Sequence, residues 1–160
     1  ETNVTDLPTA QTVHAPGTWS DETAICALPY EDRFFRRRKL TTTEGWSFVA
    51  DFEHTVSLDD GAALELGDGR LVRIKAAPEA LLSVTGPDLV RLAWHVGNRH
   101  TPCQLEDTRL LIQRDHVLRD MLERLGASVR ETCEPFKPEG GAYGHGRTHS
   151  HDHGHSAHAH

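Results

Sequence analysis

The hydrophobic pattern changes its period near residue 78, and this change predicts two domains of different architecture. Between residues 23 and 76 the apolar segments are short, and several alternate apolar with polar residues, as half-buried strands do. Asp60-Gly61 and Gly67-Asp68-Gly69 supply turn residues between such segments. We therefore predict a small all-β domain over residues 23–76, with strands at 24–28, 34–42, 46–52, 62–66 and 71–76.

Residues 80–136 combine strand-like runs with two apolar stripes at helical spacing. The first stripe, residues 89–96, places apolar side chains at i, i+3, i+4 and i+7, and the second covers residues 117–125. Gly97 and Gly126 stand where each helix is expected to end. Strands are predicted at 80–84, 103–105, 110–112 and 127–133. The order β-α-β-β-α-β is that of the ferredoxin-like motif, so the chain is predicted to be an α+β protein.

Both ends of the chain lack a periodic apolar pattern. Residues 1–22 are rich in Thr, Pro, Ala, Gln and Gly, and we predict a disordered or loosely attached arm there. Residues 137–160 begin with Pro138 and Gly140-Gly141, which break regular structure, and are predicted to form a flexible tail. These polar ends explain a mean hydropathy of −0.52.

The predicted tail is a histidine-rich segment. Neutral imidazole is a good ligand for nickel, copper and zinc, so such a segment indicates metal collection. An expression tag is the alternative, but a tag is usually an unbroken histidine run, whereas Gly, Ser, Ala and Asp separate these histidines. The candidate ligands in the tail are His145, His149, His151, His153, His155, His158 and His160.

Composition excludes several classes of function. A net charge of −7 argues against a general nucleic-acid binder, which needs a basic surface. No apolar run approaches the roughly 20 residues of a membrane span, so no membrane partner is expected. The three cysteines are odd in number and form no CxxC pair, which argues against a disulfide framework or a structural zinc knuckle and favours the cytoplasm.

One basic cluster, Arg36-Arg37-Arg38-Lys39 with Arg33 nearby, has two interpretations. It can dock an acidic partner, or it can be the solvated face and end of a strand. The pattern favours the solvated strand.

The chain carries none of the common catalytic motifs. H-E-x-x-H, G-x-S-x-G, the phosphate-binding loop and G-x-G-x-x-G after a strand are all missing. Cys103 lies near His100, so a Cys/His nucleophile pair is a weak alternative to an inward-facing strand cysteine. We predict that the protein is not an enzyme.

Three further histidines, His95, His100 and His116, lie in or beside the second domain's predicted elements. His100 sits on a loop between Gly97 and Pro102, and Asp115 is placed to cap the second helix just before His116. Any one of them alone is more often a surface or capping histidine, but the tail favours a metal role for His100. One histidine cannot hold an ion, so other ligands must come from the tail, a neighbouring element or a second subunit.

These motifs together resemble the UreE family of urease accessory nickel metallochaperones. The resemblance is carried by L-A-W-H-V-G-N-R-H-T-P at 92–102, D-H-V-L at 115–118, P-F-K-P-E at 135–139 and G-A-Y at 141–143 before a His-rich end. It runs from about residue 34 to the C-terminus, is weak in the first domain and does not cover residues 1–22.

The resemblance implies a β-rich peptide-binding domain over residues 23–76 and a ferredoxin-like metal-binding and dimerisation domain over residues 80–136. It implies a homodimer in which His100 of both subunits is the principal nickel ligand at the two-fold axis. His95, Asp115 and His116 fall on positions of secondary metal sites, and His145 is nearest to a tail ligand of relatives. Arg114 departs from the family, because some relatives have a histidine there.

The expected function is therefore delivery of Ni(II) to apo-urease in the cytoplasm, together with a urease accessory GTPase. Zn(II) and Cu(II) are alternative metals for the same ligands. A nickel or zinc storage or detoxification protein is the main alternative and would need only the tail. A metal-dependent hydrolase is the other, and it would need a general base beside an open metal position, which no motif supplies.

Overall fold

A computed structural model describes residues 6–140 and divides the chain into two units, Glu1–Ala77 and Pro78–His160. The first unit is rich in strands and the second combines two helices with a sheet, which confirms the predicted α+β class. Residues 1–5 of the predicted arm and residues 141–160 of the predicted tail lie outside the described residues. Neither helix within 6–140 is long and apolar enough to cross a membrane.

The first unit is a six-stranded sheet with the order β2-β6-β5-β1-β4-β3. Alternating apolar residues face one side of the strands, and Phe48, Leu64 and Ile74 are completely buried in the resulting core. A short 3₁₀ helix, Tyr30–Arg33, precedes β3. The strands are β1 (Thr9–His14), β2 (Ala24–Leu28), β3 (Phe34–Thr41), β4 (Ser47–Ser57), β5 (Ala63–Leu66) and β6 (Leu71–Ala76).

The N-terminal segment corrects the sequence prediction, because β1 is an interior strand of this sheet. β1 pairs in parallel with β4 and antiparallel with β5. Its sequence TAQTVH buries only Ala10, so the strand has no apolar alternation that would reveal it. Beyond β1, the Trp19 indole N–H donates to the Gly61 carbonyl at 2.9 Å. The prediction of a disordered arm is therefore wrong for this part of residues 1–22.

Arg36-Arg37-Arg38-Lys39 of the basic cluster lie on β3, at one edge of the sheet, whereas Arg33 ends the 3₁₀ helix and is buried. Asp51 of β4 is 3.6 Å from Arg36 and 3.4 Å from Arg37, and Asp32 is 3.1 Å from Arg38. Charged side chains on an edge strand also prevent pairing with strands of other molecules. These contacts agree with the solvated-strand interpretation that the sequence favours.

The second unit has the predicted β-α-β-β-α-β order and a four-stranded antiparallel sheet, β10-β7-β9-β8. Helix residues Leu92, Val96, Leu118 and Leu122 pack against the sheet residues Leu82, Val84, Leu110, Ile112 and Val129. The elements are β7 (Pro78–Thr85), α1 (Leu89–Asn98), β8 (Gln104–Leu105), β9 (Leu110–Gln113), α2 (His116–Arg124) and β10 (Ser128–Pro135).

The interior position of β1 gives a test of the first unit. Replacing Ala10 with Asp would bury an unpaired carboxylate, and we expect a loss of more than about 3 kcal/mol in the free energy of unfolding. Gln11→Asp on the exposed neighbour should change it by less than about 0.5 kcal/mol. Urea denaturation of both variants checks this, and equal effects at the two positions would contradict the interior placement of β1.

Candidate metal centre

Helix α1 ends in a Schellman motif, and His100 is the residue in the left-handed conformation. The backbone N–H of His100 donates to the Gly97 carbonyl at 2.9 Å, and that of Thr101 to the Val96 carbonyl at 3.4 Å. The φ angle of His100 is 58°. α1 continues through Asn98, so the prediction that Gly97 ends this helix is wrong. Gly97 is a helical residue, and the turn that leaves the helix is made at His100.

The end of α2 shows what the chain uses at the same position when no side chain is needed. The N–H of Gly126 donates to the Glu123 carbonyl, and that of Ala127 to the Leu122 carbonyl, both at 3.0 Å. Gly126 has a φ angle of 97°, as predicted for a residue that ends a helix. A side chain in this conformation costs about 1 kcal/mol, because the Cβ crowds the backbone. His100 carries that cost and places an imidazole at the end of α1.

The other predicted ligands in the second unit lie around the ends of the two helices. His100 and His116 are exposed, whereas His95 is partly buried with its ring 5.0 Å from the Trp94 ring in an edge-on arrangement. Oδ1 of Asp115 accepts hydrogen bonds from the backbone N–H groups of Val117 and Leu118, which confirms the predicted cap. The Asp115 carboxylate therefore already contributes to the stability of α2.

These residues do not make a metal site within one chain. Among residues 6–140, no three His, Cys, Asp or Glu side chains converge in a way that could hold an ion. The predicted tail ligands His145, His149, His151, His153, His155, His158 and His160 lie outside the described residues. His100 is thus an exposed imidazole in a fixed backbone position, for which ligands must be added from elsewhere.

The comparisons with known proteins identify the family. Residues 4–77 match the UreE urease accessory protein N-terminal domain, and residues 72–160 match its C-terminal domain. The chain belongs to the UreE family. It is 58% identical over 144 residues to the urease accessory protein UreE of Ruegeria pomeroyi, with coverage of 90% of this chain and 97% of that protein. The UreE protein of Cereibacter sphaeroides is 53% identical over 146 residues, covering 91% of this chain and 80% of its own length.

Arg114, the position at which the resemblance implies a histidine in some relatives, makes hydrogen bonds to the backbone. Its Nε donates to the Leu81 carbonyl at 3.1 Å and its Nη2 to the Thr132 carbonyl at 3.0 Å. The guanidinium thus joins β7 to β10 on the route into α2. This position supplies hydrogen-bond donors to the backbone and offers no metal ligand, because a guanidinium has no free acceptor atom.

Cys103 follows the His100 loop, but its thiol is unsuited to nucleophilic chemistry. Burial raises the pKa of the Cys103 thiol to about 12. The reactive form of cysteine is the thiolate, and at neutral pH this thiol keeps its proton. The arrangement therefore argues against the Cys103–His100 nucleophile pair. Cys103 faces inward as predicted, but it lies just before β8 and not in the strand.

Sequence reasoning missed how the chain is held after β10. We call residues 136–140 the C-terminal strap. The backbone N–H of Lys137 donates to Oε1 of Gln104 at 2.7 Å, and that of Glu139 donates to the Cys103 carbonyl at 2.8 Å. The strap therefore runs beside the segment that follows the His100 loop. The sequence marks this segment only as irregular, and nothing in it identifies Gln104 as the partner.

A network of charged side chains is connected to the strap through Gln104. Arg109 donates to Glu106 at 2.8 Å and makes two hydrogen bonds with Glu134, at 2.7 and 2.9 Å. Nε2 of Gln104 donates to Glu106 at 2.7 Å, which connects the network to the strap. The hydrogen bonds from Arg109 lower the pKa of both carboxyl groups. The pKa of Arg109 is raised by the same bonds.

The left-handed conformation of His100 can be tested by substitution. We expect His100→Gly to be more stable than His100→Ala by about 1 kcal/mol, because only Gly adopts this conformation without strain. Gly126→Ala should lose about 1 kcal/mol for the same reason. Asn98 is helical, so there the order should reverse: Asn98→Ala should be more stable to unfolding than Asn98→Gly by about 1 kcal/mol. Thermal or urea unfolding measures the stability of these variants at all three positions. If His100→Ala is as stable as His100→Gly or more stable, the strain argument is refuted.

The Arg109 network predicts how stability responds to acid. The pKa values of Glu106 and Glu134 lie lower in the folded state than the roughly 4.3 of an unfolded Glu. Their stabilisation is therefore complete above that pH and is lost as the pH falls through the lowered folded values. We expect Arg109→Gln to destabilise the protein at pH 7, and the difference from the unmodified chain to narrow below about pH 4.

Denaturant unfolding at pH 7, 5 and 3.5 measures this difference. Arg124→Gln at the exposed end of α2 is the matched control, and its effect should be small at every pH. A stability difference for Arg109→Gln that stays constant from pH 7 to 3.5 would contradict the assignment.

Proposed function

We propose that this UreE-family protein is a nickel metallochaperone that binds Ni(II) through His100 of two subunits and passes it to apo-urease. The observation that carries the proposal is the left-handed, exposed His100 at the end of α1, in a turn held by the backbone N–H groups of His100 and Thr101. Membership of a urease accessory protein family supports the destination of the metal. Nickel is here the cargo of the protein.

The donor set suits an ion that must be released. Imidazole nitrogen binds Ni(II) well, whereas a closed cage of thiolates suits structural zinc. One chain supplies too few ligands within residues 6–140, and a two-fold axis through His100 would bring two identical imidazoles together. Histidines of the tail, His145 first, would complete the shell. A site with so few fixed ligands can exchange its ion, and zinc or copper can occupy it as well.

The outer face of α1 supports dimer formation through the second unit. The side chains of Val90 and Trp94, one helical turn apart, are 82% and 62% exposed. Exposed apolar side chains grouped on one face indicate a binding surface. A Cβ added at Gly97, one turn beyond Ala93, would meet nothing within 4 Å among residues 6–140, which leaves room for a partner to approach there. The homodimer would thus place the His100 loops of both subunits at its axis.

The remaining predicted ligands have lesser roles in this proposal. His95 and His116 are candidates for secondary sites, and Asp115 can serve there only in addition to capping α2. The proposal assigns the protein no catalytic activity. Its partners are a second copy, a urease accessory GTPase and the apo-urease complex, all in the cytoplasm, and the first unit is proposed to bind a peptide segment of one of them.

Storage or detoxification of nickel or zinc is the alternative, and it makes a different demand on the chain. A storage protein needs many ligands of similar affinity, which the tail alone supplies. It has no use for a strained histidine in the folded domain. The number of ions that depend on His100 therefore separates the two functions.

The test uses His100→Gly, which removes the ligand and also removes the backbone strain, so that lost binding cannot come from lost folding. We expect the tightest nickel step, one ion per dimer, to disappear in calorimetric titration, and nickel-dependent activation of apo-urease to fall with it. The control is His54→Ala, an exposed histidine of β4 outside the candidate site. An unchanged tight step and unchanged urease activation in His100→Gly would exclude delivery through this residue.

A further inference from the structure

The turn between β3 and β4 borders a groove in the first unit. The groove has a volume of about 560 Å³ and is partly open to solvent. Leu7, Pro8 and Trp46 form its apolar part, and all three are half-buried. The backbone N–H of Val49 donates to the Pro8 carbonyl at 2.8 Å, which holds the segment before β1 beside β4. Main-chain hydrogen bonding therefore fixes one side of the groove.

Arg70 supplies the groove with hydrogen-bond donors in a defined orientation. Its guanidinium lies over the Trp46 ring, 4.9 Å from the centroid, and its Nε donates to Oδ2 of Asp68 at 2.7 Å. Within the part of the chain that the structure describes, neither terminal amino group of Arg70 has an acceptor. Asp68 itself does not line the groove. A guanidinium stacked in this way can offer two N–H groups to one carboxylate.

Lys39 is a second cation on the groove, and it differs from the other members of the basic cluster on β3. Arg36, Arg37 and Arg38 each have a carboxylate beside them. Lys39 is exposed, and no carboxylate among residues 6–140 lies within ion-pair distance of it. Asp6 also lines the groove but pairs with neither cation. The groove is therefore lined by more cations than carboxylates, in a chain whose net charge is −7.

We infer that this groove binds an extended acidic peptide segment of a partner protein. Carboxylates of the peptide pair with Lys39 and Arg70, and an apolar side chain next to them lies against Trp46. A site for a small molecule usually encloses its ligand, whereas an extended peptide leaves one side in solvent, which suits a groove that is partly open. The inference deepens one part of the proposed function, the binding of a peptide by the first unit, and does not involve the nickel ligands.

The probe for this inference is a fluorescein-labelled octapeptide of alternating Leu and Glu. The comparison peptide has Gln in place of Glu, so it keeps the shape and loses the charges. Fluorescence anisotropy measures the dissociation constant of each peptide with the full chain. We expect the Glu peptide to bind at least about fivefold more tightly, which is the factor that two partly exposed ion pairs can supply together. The preference should shrink at high salt, because salt screens exposed charges.

Two substitutions remove one groove cation each. We expect Lys39→Gln and Arg70→Gln each to weaken binding of the Glu peptide about threefold. Lys39 is exposed, so its replacement should not affect folding, and the affinity for the Gln peptide should stay the same. Arg70→Lys keeps the charge but loses the stacked pair of donors, and it should weaken binding nearly as much as Arg70→Gln.

Arg37→Gln is the matched control, because it removes the same charge from the same strand at a residue outside the groove. It should leave the dissociation constant of the Glu peptide unchanged. A loss in Arg37→Gln as large as that in Lys39→Gln would overturn the inference, since it would show a general attraction to the basic strand. Equal affinities for the Glu and Gln peptides would overturn it as well. So would a thymidine oligonucleotide that displaces the Glu peptide at a lower concentration than the unlabelled peptide does, because the groove would then select phosphates.

Nickel titration of the same proteins separates this inference from the nickel function. A tight nickel step together with no preference for the Glu peptide refutes the groove and leaves nickel binding intact. A clear preference for the Glu peptide that is lost in Lys39→Gln supports the groove, even if the unmodified protein shows no tight nickel step and delivery through His100 is thereby refuted.

Discussion

The hydrogen bonds that close the end of α1 are the constraint on which the candidate centre depends. They force one residue into the left-handed conformation, and this residue is His100 where α2 has Gly126. A glycine would satisfy the backbone at lower cost, but it would leave no imidazole at the end of the helix. The position of the ring thus follows from main-chain geometry, while its usefulness as a ligand follows from side-chain chemistry. The same turn directs the chain towards Cys103, to which the strap is bonded.

The two units differ in how much of them the amino-acid pattern reveals. The second unit was predictable, because Leu92, Val96, Leu118 and Leu122 mark the buried faces of its helices. β1 was not predictable. Its pairing with β4 and β5 stabilises it as a strand, whereas its own sequence has no apolar alternation. A strand with a single buried residue, Ala10, is defined by long-range pairing, and a local pattern cannot report that.

The candidate site was predictable in its residues and not in its arrangement. His100 stands out from its loop sequence and the His-rich tail, and Asp115 from its place before a helical stripe. The pattern predicts the helix end at Gly97, because a glycine near a helix end is normally the left-handed residue, but His100 takes that conformation three positions later. Gln104 could not be found, since its importance comes from a backbone group 33 residues further along the chain.

The central position of β1 also affects the order in which the first unit can assemble. β1 is synthesised before both of its partners, and Ala10 aligns with Ala50 on β4 and with Leu66 on β5. β1 therefore lacks one of its two neighbouring strands until β5, which ends at Leu66, has left the ribosome. Pairings of such long sequence separation slow folding, because the loop must close before any contact forms. In the second unit β7 is in the same situation, because its partners β9 and β10 both follow it in the chain.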